Sequence, residues 1–194
     1  DDPQVRDEAI AAIQTEAGRM SRLVEQLLFL ARGDSGRTKL NPAPVDLTDL
    51  TREVFEESKM IDPDHVWLLE AAEPIAYTAD RDMLKQAMRI LADNAAKYTP
   101  AGGEIQLRAA RGEKGEVRIA VQDTGMGIRA EDAPHVFQRF YRAPSASEEE
   151  GVGIGLYLAR QIVAVQGGYL KVTSRPGEGS TFSLFLPREL EIRS

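Results

Sequence analysis

The chain has 194 residues and a formal net charge of −7, from 24 Lys and Arg against 31 Asp and Glu. This acidic balance without a basic run argues against nucleic acid or an anionic lipid surface as a partner. The sequence contains no cysteine and two histidines, which excludes disulfides and thiolate chemistry and disfavours a zinc site. Its apolar content of 42% is enough for one packed domain with an extension.

Residues 1–33 are predicted to form one long helix, with Asp2 as N-cap, Pro3 in the first turn and Gly33 as a C-terminal stop. Its apolar residues recur in alternating steps of three and four, the heptad seam of a helix that packs against other helices. Packing against the chain's own globular domain is the alternative, and the strict heptad spacing favours a bundle. The seam consists of Ile10, Ile13, Ala17, Met20, Val24, Leu27 and Ala31. The apolar run at 27–31 is far shorter than the ~20 residues that a membrane span needs.

After a linker at 34–41, residues 42–188 are predicted to form an α+β domain, followed by a tail at 189–194. Because strands and helices do not alternate as βαβ units, we expect a two-layer sandwich of helices on a mixed, mostly antiparallel sheet. The strands near 66–70 and 75–78 are expected to pair with each other. Helices are predicted from Asp46 to about Met60, from about Arg81 to Tyr98 and at 153–165, and the other strands at 43–45, 104–110, 116–122, 169–174 and 181–186.

Three glycine clusters follow a polar helix end in the second half of the chain. Glycine permits positive φ angles and close approach of a ligand to the backbone, and N–H groups at such turns and at helix N-termini bind anions. One such loop is a weak signal, whereas the ordered set is a strong one. The polar helix end lies at 93–100, and the clusters are Asp-Thr-Gly-Met-Gly-Ile at 123–128, Gly-Val-Gly-Ile-Gly-Leu at 151–156 and Gly-Glu-Gly-Ser-Thr-Phe at 177–182.

Four polar side chains in these blocks suit nucleotide chemistry. Asn94, Lys97 and Tyr98 share one helix face, and an amide oxygen can ligate magnesium when phosphates and water supply the other ligands. Asp123, at a strand end, can accept a hydrogen bond from an exocyclic amine such as that of adenine. Taken singly, each has a plainer explanation: solvation of a helix C-terminus for the first three, and an Asx turn for Asp123.

Together the blocks resemble the ATPase domain of sensor histidine kinases, within the superfamily that includes gyrase B, Hsp90 and the MutL repair proteins. The likeness covers residues 42–187 and implies a Bergerat-type ATP-binding fold. Residues 19–32 are similar to the end of the second dimerisation helix of such kinases. The motifs that match are the N box at 93–99, the G1 loop at 123–127, the F box at 137–142, the G2 loop at 151–156 and the G3 turn at 177–182. The F box and the dimerisation helix favour a histidine kinase over the other superfamily members.

The resemblance implies ATP and Mg²⁺ as ligands and assigns roles to individual residues. Asn94 is the implied magnesium ligand, Lys97 and Tyr98 contact phosphate, and Asp123 recognises the adenine amino group. Residues 128–152 are the implied lid over ATP, which Phe137 and Phe140 anchor. The implied catalytic residues are Asn94, Lys97, Arg139 and Arg142. The other implied ATP contacts are Gly125, Gly127, Ile128, Phe140, Tyr141, Gly151, Gly153, Gly155, Leu156 and, through water, Thr181.

The histidine that this family phosphorylates is not found in the sequence. His65 precedes a predicted strand and His135 lies in the lid, so neither matches an acceptor on a dimerisation helix. We therefore expect a fragment without the first dimerisation helix. That helix, a response-regulator receiver domain and a second copy of the parent are the expected partners. The chain is expected to be the soluble cytoplasmic portion of a membrane-anchored bacterial sensor and to be a phosphotransferase.

Two departures from the family pattern leave other functions open. Ile90 stands where a second asparagine often precedes Asn94, and Val152 stands where a threonine is common. One alternative is therefore a nucleotide-binding regulatory module without transfer activity. The other is a non-kinase ATPase of the same superfamily, such as an anti-sigma switch kinase or a repair protein.

Overall fold

The computed structural model describes residues 39–144 and 152–189 continuously, together with separate helical positions between residues 6 and 31. The chain divides into two compact units, Asp1–Lys39 and Leu40–Ser194. In the first unit every described residue except Lys39 is α-helical. The large apolar side chains of the predicted seam that are described, at 10, 13, 20, 24 and 27, are between 46% and 68% exposed. The continuity of a helix from 1 to 33 and the linker fall on residues outside those described, and the packing partner of the seam stays a prediction.

The second unit is a sheet with a layer of helices, as predicted. Its elements in chain order are β1 Ala43–Asp46, α1 Leu47–Ile61, β2 Val66–Glu70, β3 Ala76–Ala79, α2 Arg81–Tyr98, β4 Glu104–Arg111, β5 Val117–Asp123, α3 Gly155–Val165, β6 Tyr169–Arg175 and β7 Gly179–Leu186. The five-stranded sheet has the order β2-β4-β5-β7-β6, in which β2 runs parallel to β4 and the other neighbours are antiparallel. A separate antiparallel pair joins β1 to β3.

The core lies between one face of the sheet and the helices. Alternate residues of the central strands face it because strand side chains alternate between faces. The helices contribute stripes at three- and four-residue spacing. The fully buried large side chains are Leu47, Leu50, Leu84, Met88, Leu91, Ile105, Leu107, Ile119, Leu158, Ile162, Leu184 and Leu186. None of the helices in the described residues is long and apolar enough to cross a membrane.

Aspartate side chains set the starts of the first two helices of this unit. Asp46 Oδ1 accepts hydrogen bonds from the backbone N–H groups of Thr48 and Asp49, at 2.8 and 3.3 Å. Asp80 Oδ1 accepts from the N–H of Met83 at 3.2 Å. Each such cap contributes about 1 kcal/mol. The predicted N-terminal boundaries of α1 and α2 are confirmed.

Two local predictions are wrong. Strand β2 does not pair with β3: its Trp67 stands opposite Ile105 of β4, and β3 pairs with β1 instead. Helix α3 begins at Gly155 rather than 153, because Gly153 has a φ of +73°, which no α-helical residue adopts. The other element boundaries agree with the predictions to within one or two residues.

A histidine joins the segment after α1 to the end of α2. The Nδ1 atom of His65 lies 2.6 Å from Asp62 Oδ2, and its Nε2 lies 2.8 Å from the Thr99 carbonyl oxygen. A carboxylate and a carbonyl both accept, so the doubly protonated ring satisfies both contacts. Burial alone would lower the pKa of His65, but the Thr99 carbonyl and the Asp62 and Asp64 carboxylates outweigh it and raise the pKa above its usual value.

This contact predicts a pH dependence of stability. Because the folded-state pKa is raised, the stabilisation by His65 is complete below the unfolded-state pKa of about 6.5 and is lost as the pH rises through the folded-state value. We expect the free energy of unfolding, measured in urea at about pH 6 and about pH 8.5, to fall with pH in the wild type and to fall less in His65→Gln. His135→Gln, at the other histidine, is the control and keeps the wild-type slope. An unchanged slope in His65→Gln contradicts the assignment.

Candidate functional site

The end of α2 presents the polar residues of the N box. The Asn94 side chain is half-buried and makes no hydrogen bond with the residues that the structure describes. The Lys97 ammonium lies 5.1 Å from the centre of the Tyr98 ring. The Thr99 hydroxyl donates to the Ala95 carbonyl at 2.7 Å and closes the helix end. Asn94 therefore offers an amide oxygen that the fold leaves without a donor.

The G1 loop (123–128) lies directly against this helix end. The N–H of Met126 donates to the Tyr98 carbonyl at 3.1 Å, and the Met126 carbonyl accepts from the N–H of Gly177 in the G3 turn at 2.8 Å. A Cβ on Gly125 would lie 2.3 Å from the Tyr98 carbonyl oxygen, and one on Gly127 would lie 2.0 Å from the Arg175 carbonyl oxygen. Both glycines are therefore required for the loop to fit between α2 and the G3 turn.

Asp123 is the last residue of β5, and its two carboxylate oxygens lie in different environments. The residue is 5% exposed. Its Oδ1 accepts from the backbone N–H groups of Gly125 at 2.9 Å and Ser180 at 3.2 Å. Its Oδ2 makes no hydrogen bond with the described residues and retains access to solvent. Burial raises the pKa of Asp123, and the two backbone donors oppose that rise. The Asx turn considered from the sequence is thus present, and it uses only one of the two oxygens.

The strand register corrects the prediction at Thr181. Asp123 stands opposite Ser180 and Gln122 stands opposite Thr181. Since side chains alternate along a strand, Thr181 points to the face of the sheet away from Asp123, and Ser180 to the same face as Asp123. The sequence prediction is displaced by one residue, and the register that reveals this is set by long-range pairing.

Two serines that the sequence analysis missed lie beside the G1 loop. Ser174 Oγ and Ser180 Oγ are 2.9 Å apart. Ser174 Oγ also accepts from the backbone N–H of Ile128 at 2.8 Å. Ile128, a predicted ATP contact, is half-buried and held in place by this bond. A serine in a strand carries no signal by itself, so only the pairing of β7 with β5 and with β6 identifies these residues.

The F box packs on the sheet and joins the G2 loop. The ring of Phe137 meets that of Phe182 edge-on at 6.1 Å. Phe140 is 60% exposed and has a φ of +62°, and its N–H donates to the Gly153 carbonyl at 2.9 Å. The Arg139 guanidinium lies 5.5 Å from the centre of the Tyr157 ring in α3. The described part of the lid is therefore attached to β7 and to the start of α3.

Tyr141, a predicted ATP contact, has its hydroxyl bonded within the lid. Its hydroxyl donates to Asp132 Oδ1 at 2.5 Å, a hydrogen bond that raises the pKa of Tyr141. The hydroxyl is thus occupied by a carboxylate of the lid itself. Arg142 is exposed, whereas the predicted contact Gly151 and the acidic tip at 145–150 lie outside the described residues.

No described residue caps the N-terminus of α3. Its N-cap is Ile154, which offers no side-chain acceptor, and its first turn contains no acidic residue. The first N–H groups of a helix have no partner within the helix, and the helix dipole adds positive potential there. Leu156 in that turn is half-buried. A Cβ on Gly155 would lie 3.3 Å from Ile90 Cγ2, and Ile90 is 9% exposed. Ile90 therefore packs α2 against α3, at the position where the family often has a second asparagine.

The donor set permits a magnesium ion only together with a ligand. Among the described residues, no group of three or more His, Asp or Glu side chains could hold a metal ion. Mg²⁺ accepts one or two protein oxygens when phosphates and water complete its octahedron. The Asn94 amide, which bonds to none of the described residues, meets that requirement.

A helix-backed sheet with these motifs around one helix end defines a class of ATP-binding domains. The family model of the histidine kinase-, DNA gyrase B- and HSP90-like ATPases matches residues 79–190. The chain belongs to this family.

Within the family, the similar proteins are sensor histidine kinases. The chain is 35% identical over 184 residues to the sensor histidine kinase YkoH of Bacillus subtilis, covering 94% of this chain and 40% of YkoH. It is 36% identical over 190 residues to the probable sensor histidine kinase TcrY of Mycobacterium tuberculosis, covering 96% of this chain and 39% of TcrY. The chain thus spans about 40% of the length of these relatives.

Solved structures agree. The mycobacterial sensor histidine kinase MprB superposes with a TM-score of 0.69 at 29% identity, over 77% of this chain and all of that one. Full-length ShkA in complex with AMPPNP superposes with a TM-score of 0.76 at 27% identity, over 96% of this chain and 40% of that one. The chain corresponds to the ATP-binding catalytic region of sensor histidine kinases.

The glycines of the site differ in what an added side chain would meet, which gives a matched pair of variants. Gly127 and Gly177 have similar positive φ angles, +69° and +78°. A Cβ on Gly177 meets nothing within 4 Å, whereas one on Gly127 collides with the Arg175 carbonyl. We expect Gly177→Ala to cost about 1–2 kcal/mol of backbone strain and Gly127→Ala about 3 kcal/mol or more. Urea unfolding measures both, and equal losses contradict the close packing of the G1 loop.

Proposed function

We propose that the chain binds Mg-ATP between the end of α2, the G1 loop, the G3 turn and the start of α3. In its parent protein it transfers the γ-phosphoryl group to a histidine on a helix outside this chain, for relay to a response-regulator aspartate. The observation that carries the proposal is the hydrogen bonding of the G1 loop to Tyr98 on one side and to Gly177 on the other. These bonds bring the N box, G1 and G3 to one place.

The adenine end of the site rests on Asp123. Its Oδ1 is fixed by two backbone donors, so its Oδ2 is oriented and available to accept from the adenine amino group. Ser180, on the same face as Asp123, replaces Thr181 as the candidate for a water-mediated contact. Gly125 and Gly127 keep side chains out of the approach, and Ile128 offers an apolar contact.

The phosphate end rests on charge and on backbone N–H groups. Asn94 would hold a magnesium ion, which supplies charge neutralisation for the triphosphate. Lys97 and Tyr98 lie one turn further along the same helix, and the uncapped start of α3 offers its N–H groups. Arg139 and Arg142, from the F box, are the candidates to reach the γ-phosphate. Phosphoryl transfer asks the protein mainly for positioning and charge stabilisation, and this set supplies both.

The parent's partners follow from the relatives. Sensor histidine kinases of which the chain spans about 40% leave room for the first dimerisation helix and a sensing region elsewhere in the parent. We propose that the exposed heptad seam of the first unit packs in the dimer of the parent, and that the parent is membrane-anchored. A nucleotide-binding module without transfer is the second candidate, because Ile90 packs against Gly155 and leaves Asn94 as the only amide of the N box at the site.

Radiolabel transfer tests the proposal. Calorimetry should detect binding of Mg-ATP to the chain, and γ-labelled ATP should leave no acid-labile, base-stable label on it. Adding a helix that carries an acceptor histidine followed by an acidic residue should restore labelling. Binding without transfer to the added helix favours the regulatory module, and the absence of binding overturns the proposal. Label on His65 or His135 contradicts the absence of the acceptor.

Asp123→Asn should weaken ATP binding through a defined mismatch. Gly125 and Ser180 both donate to one position of this side chain, so the asparagine oxygen will stay there and its NH₂ group will face the adenine NH₂ group. Two opposed donors cost about 1–3 kcal/mol, a loss of roughly tenfold to a hundredfold in affinity. Calorimetry with inosine triphosphate, which carries an acceptor oxygen at that position, is the control and should show a smaller loss. Unchanged ATP affinity removes Asp123 from the adenine site.

Asn94→Ala should be the most damaging single change to transfer. Without the amide, the metal keeps its waters and phosphate oxygens but loses its attachment to the protein, so the γ-phosphate is misplaced. The side chain bonds to none of the described residues, so the melting temperature should hold. Metal-dependent ATP affinity should fall and transfer to an added acceptor helix should vanish. Transfer at a near wild-type rate would instead point to another ligand, with Asp93→Ala as the next variant to measure.

A further inference from the structure

Asp132 is a buried carboxylate in the lid that the proposed mechanism does not use. It is 6% exposed. Its Oδ1 accepts from the Tyr141 hydroxyl at 2.5 Å, and its Oδ2 is buried without a hydrogen-bond partner among the described residues. Burying a carboxylate with one oxygen unsatisfied opposes folding. A side chain that costs stability in this way calls for an explanation other than stability.

The other partner of this bond stands at the junction of the F box and the G2 loop. Tyr141 follows Phe140, whose φ of +62° is unusual for a residue with a bulky side chain. The N–H of Phe140 donates to the Gly153 carbonyl at 2.9 Å. The approach is so close that a Cβ on Gly153 would lie 2.7 Å from the Tyr141 carbonyl oxygen. Fixing Tyr141 therefore fixes the backbone at Phe140 and, through it, Gly153.

Gly153 lies two residues before α3, whose open N-terminus is the proposed phosphate site. Its φ of +73° turns the chain into that helix. Glycine adopts such a φ without strain, whereas the φ of +62° at Phe140 is strained and persists only where its surroundings hold it. The contacts beside it are the Phe140–Gly153 hydrogen bond and, one residue further on, the Tyr141–Asp132 hydrogen bond.

We propose that Asp132 is a positioning residue for the phosphate site, acting through Tyr141, Phe140 and Gly153 without contacting the nucleotide. This inference rests on the proposed function. In this proposal the hydrogen bond from the Tyr141 hydroxyl to Asp132 is a tether that joins two parts of the lid. It also explains the unsatisfied Oδ2: the carboxylate is retained because it accepts strongly from the hydroxyl, at the expense of fold stability.

The test compares affinities for phosphate-bearing and phosphate-free ligands. Asp132→Ala and Tyr141→Phe each remove the tether and should weaken Mg-ATP and ADP binding about tenfold, as for loss of a hydrogen bond to a charged group, while adenosine binding stays unchanged. Asp132→Asn keeps an acceptor oxygen and should stay within about threefold of the wild type. The double variant Asp132→Ala/Tyr141→Phe should lose no more than either single one, because both remove the same bond.

Stability and hydrogen exchange separate positioning from a structural role. Asp132→Ala should melt at or above the wild-type temperature, since it removes a half-satisfied buried carboxylate, whereas the amide of Phe140 should exchange faster. Glu131→Ala, at the exposed neighbouring carboxylate, is the matched control and should change neither measurement.

Several outcomes would overturn the inference while leaving the proposed function in place. Wild-type ATP affinity in Asp132→Ala and Tyr141→Phe is one. Equal losses for ATP and adenosine, or a fall in melting temperature that accompanies the loss of affinity, would show a structural role. Tighter ATP binding in both Asp132→Ala and Asp132→Asn would show that only the charge acts. If the wild type itself fails to bind Mg-ATP, the proposed function fails instead.

Discussion

The hydrogen bond from Met126 N–H to the Tyr98 carbonyl is the contact on which the site depends. The last carbonyls of an α-helix have no partner within the helix and must find one elsewhere. Here the G1 loop supplies it, and in doing so the loop is brought against the helix that carries Asn94 and Lys97. The contact requires Gly125, because any side chain there would collide with the same carbonyl. The need for a hydrogen-bond donor to the last carbonyls of α2 thus determines where the G1 loop lies.

The hydrogen bonds to Asp123 likewise serve both the fold and the site. A buried carboxylate without hydrogen-bond donors would either take up a proton or destabilise the fold. Backbone donors to one oxygen reduce this free-energy cost of burial. Gly125 and Ser180 provide them. Because both donors bond to Oδ1, Oδ2 is the oxygen that remains for a ligand. The same two bonds restrain rotation of the carboxylate about its axis. The groups that make burial tolerable are therefore those that orient the side chain for a ligand.

How far the sequence could predict this structure depended on the range of the interactions involved. The starts of α1 and α2 were predictable because a capping aspartate acts within three residues of the helix start. The glycines of G1 were predictable because their pattern matches a known family. The partner of β2 was not, since its parallel pairing with β4 joins residues far apart in the chain.

The site residues show the same difference between local and long-range interactions. Asn94 and Asp123 lie where their local patterns placed them, at a helix end and a strand end. Thr181 was displaced by one residue because only the β5–β7 register decides which side chains share a face with Asp123. The hydrogen bond of Tyr141 to Asp132, nine residues earlier, was not predictable, because the F-box motif carries no information about that residue.

A chain of net charge −7 that binds a polyphosphate faces long-range repulsion, so attraction must come from groups close to the ligand. Backbone N–H groups and the dipole of α3 are well suited, because they carry partial positive charge without adding a flexible cation. Their strength depends on direction, however, and a loop of glycines has little intrinsic preference for one direction. The hydrogen bond from Phe140 to Gly153 restrains G2 where it leads into α3, and so helps to fix the direction of the first N–H groups of that helix. In such a site the residues that hold a glycine loop in shape act on anion binding indirectly, by fixing the direction of the N–H groups that contact the ligand.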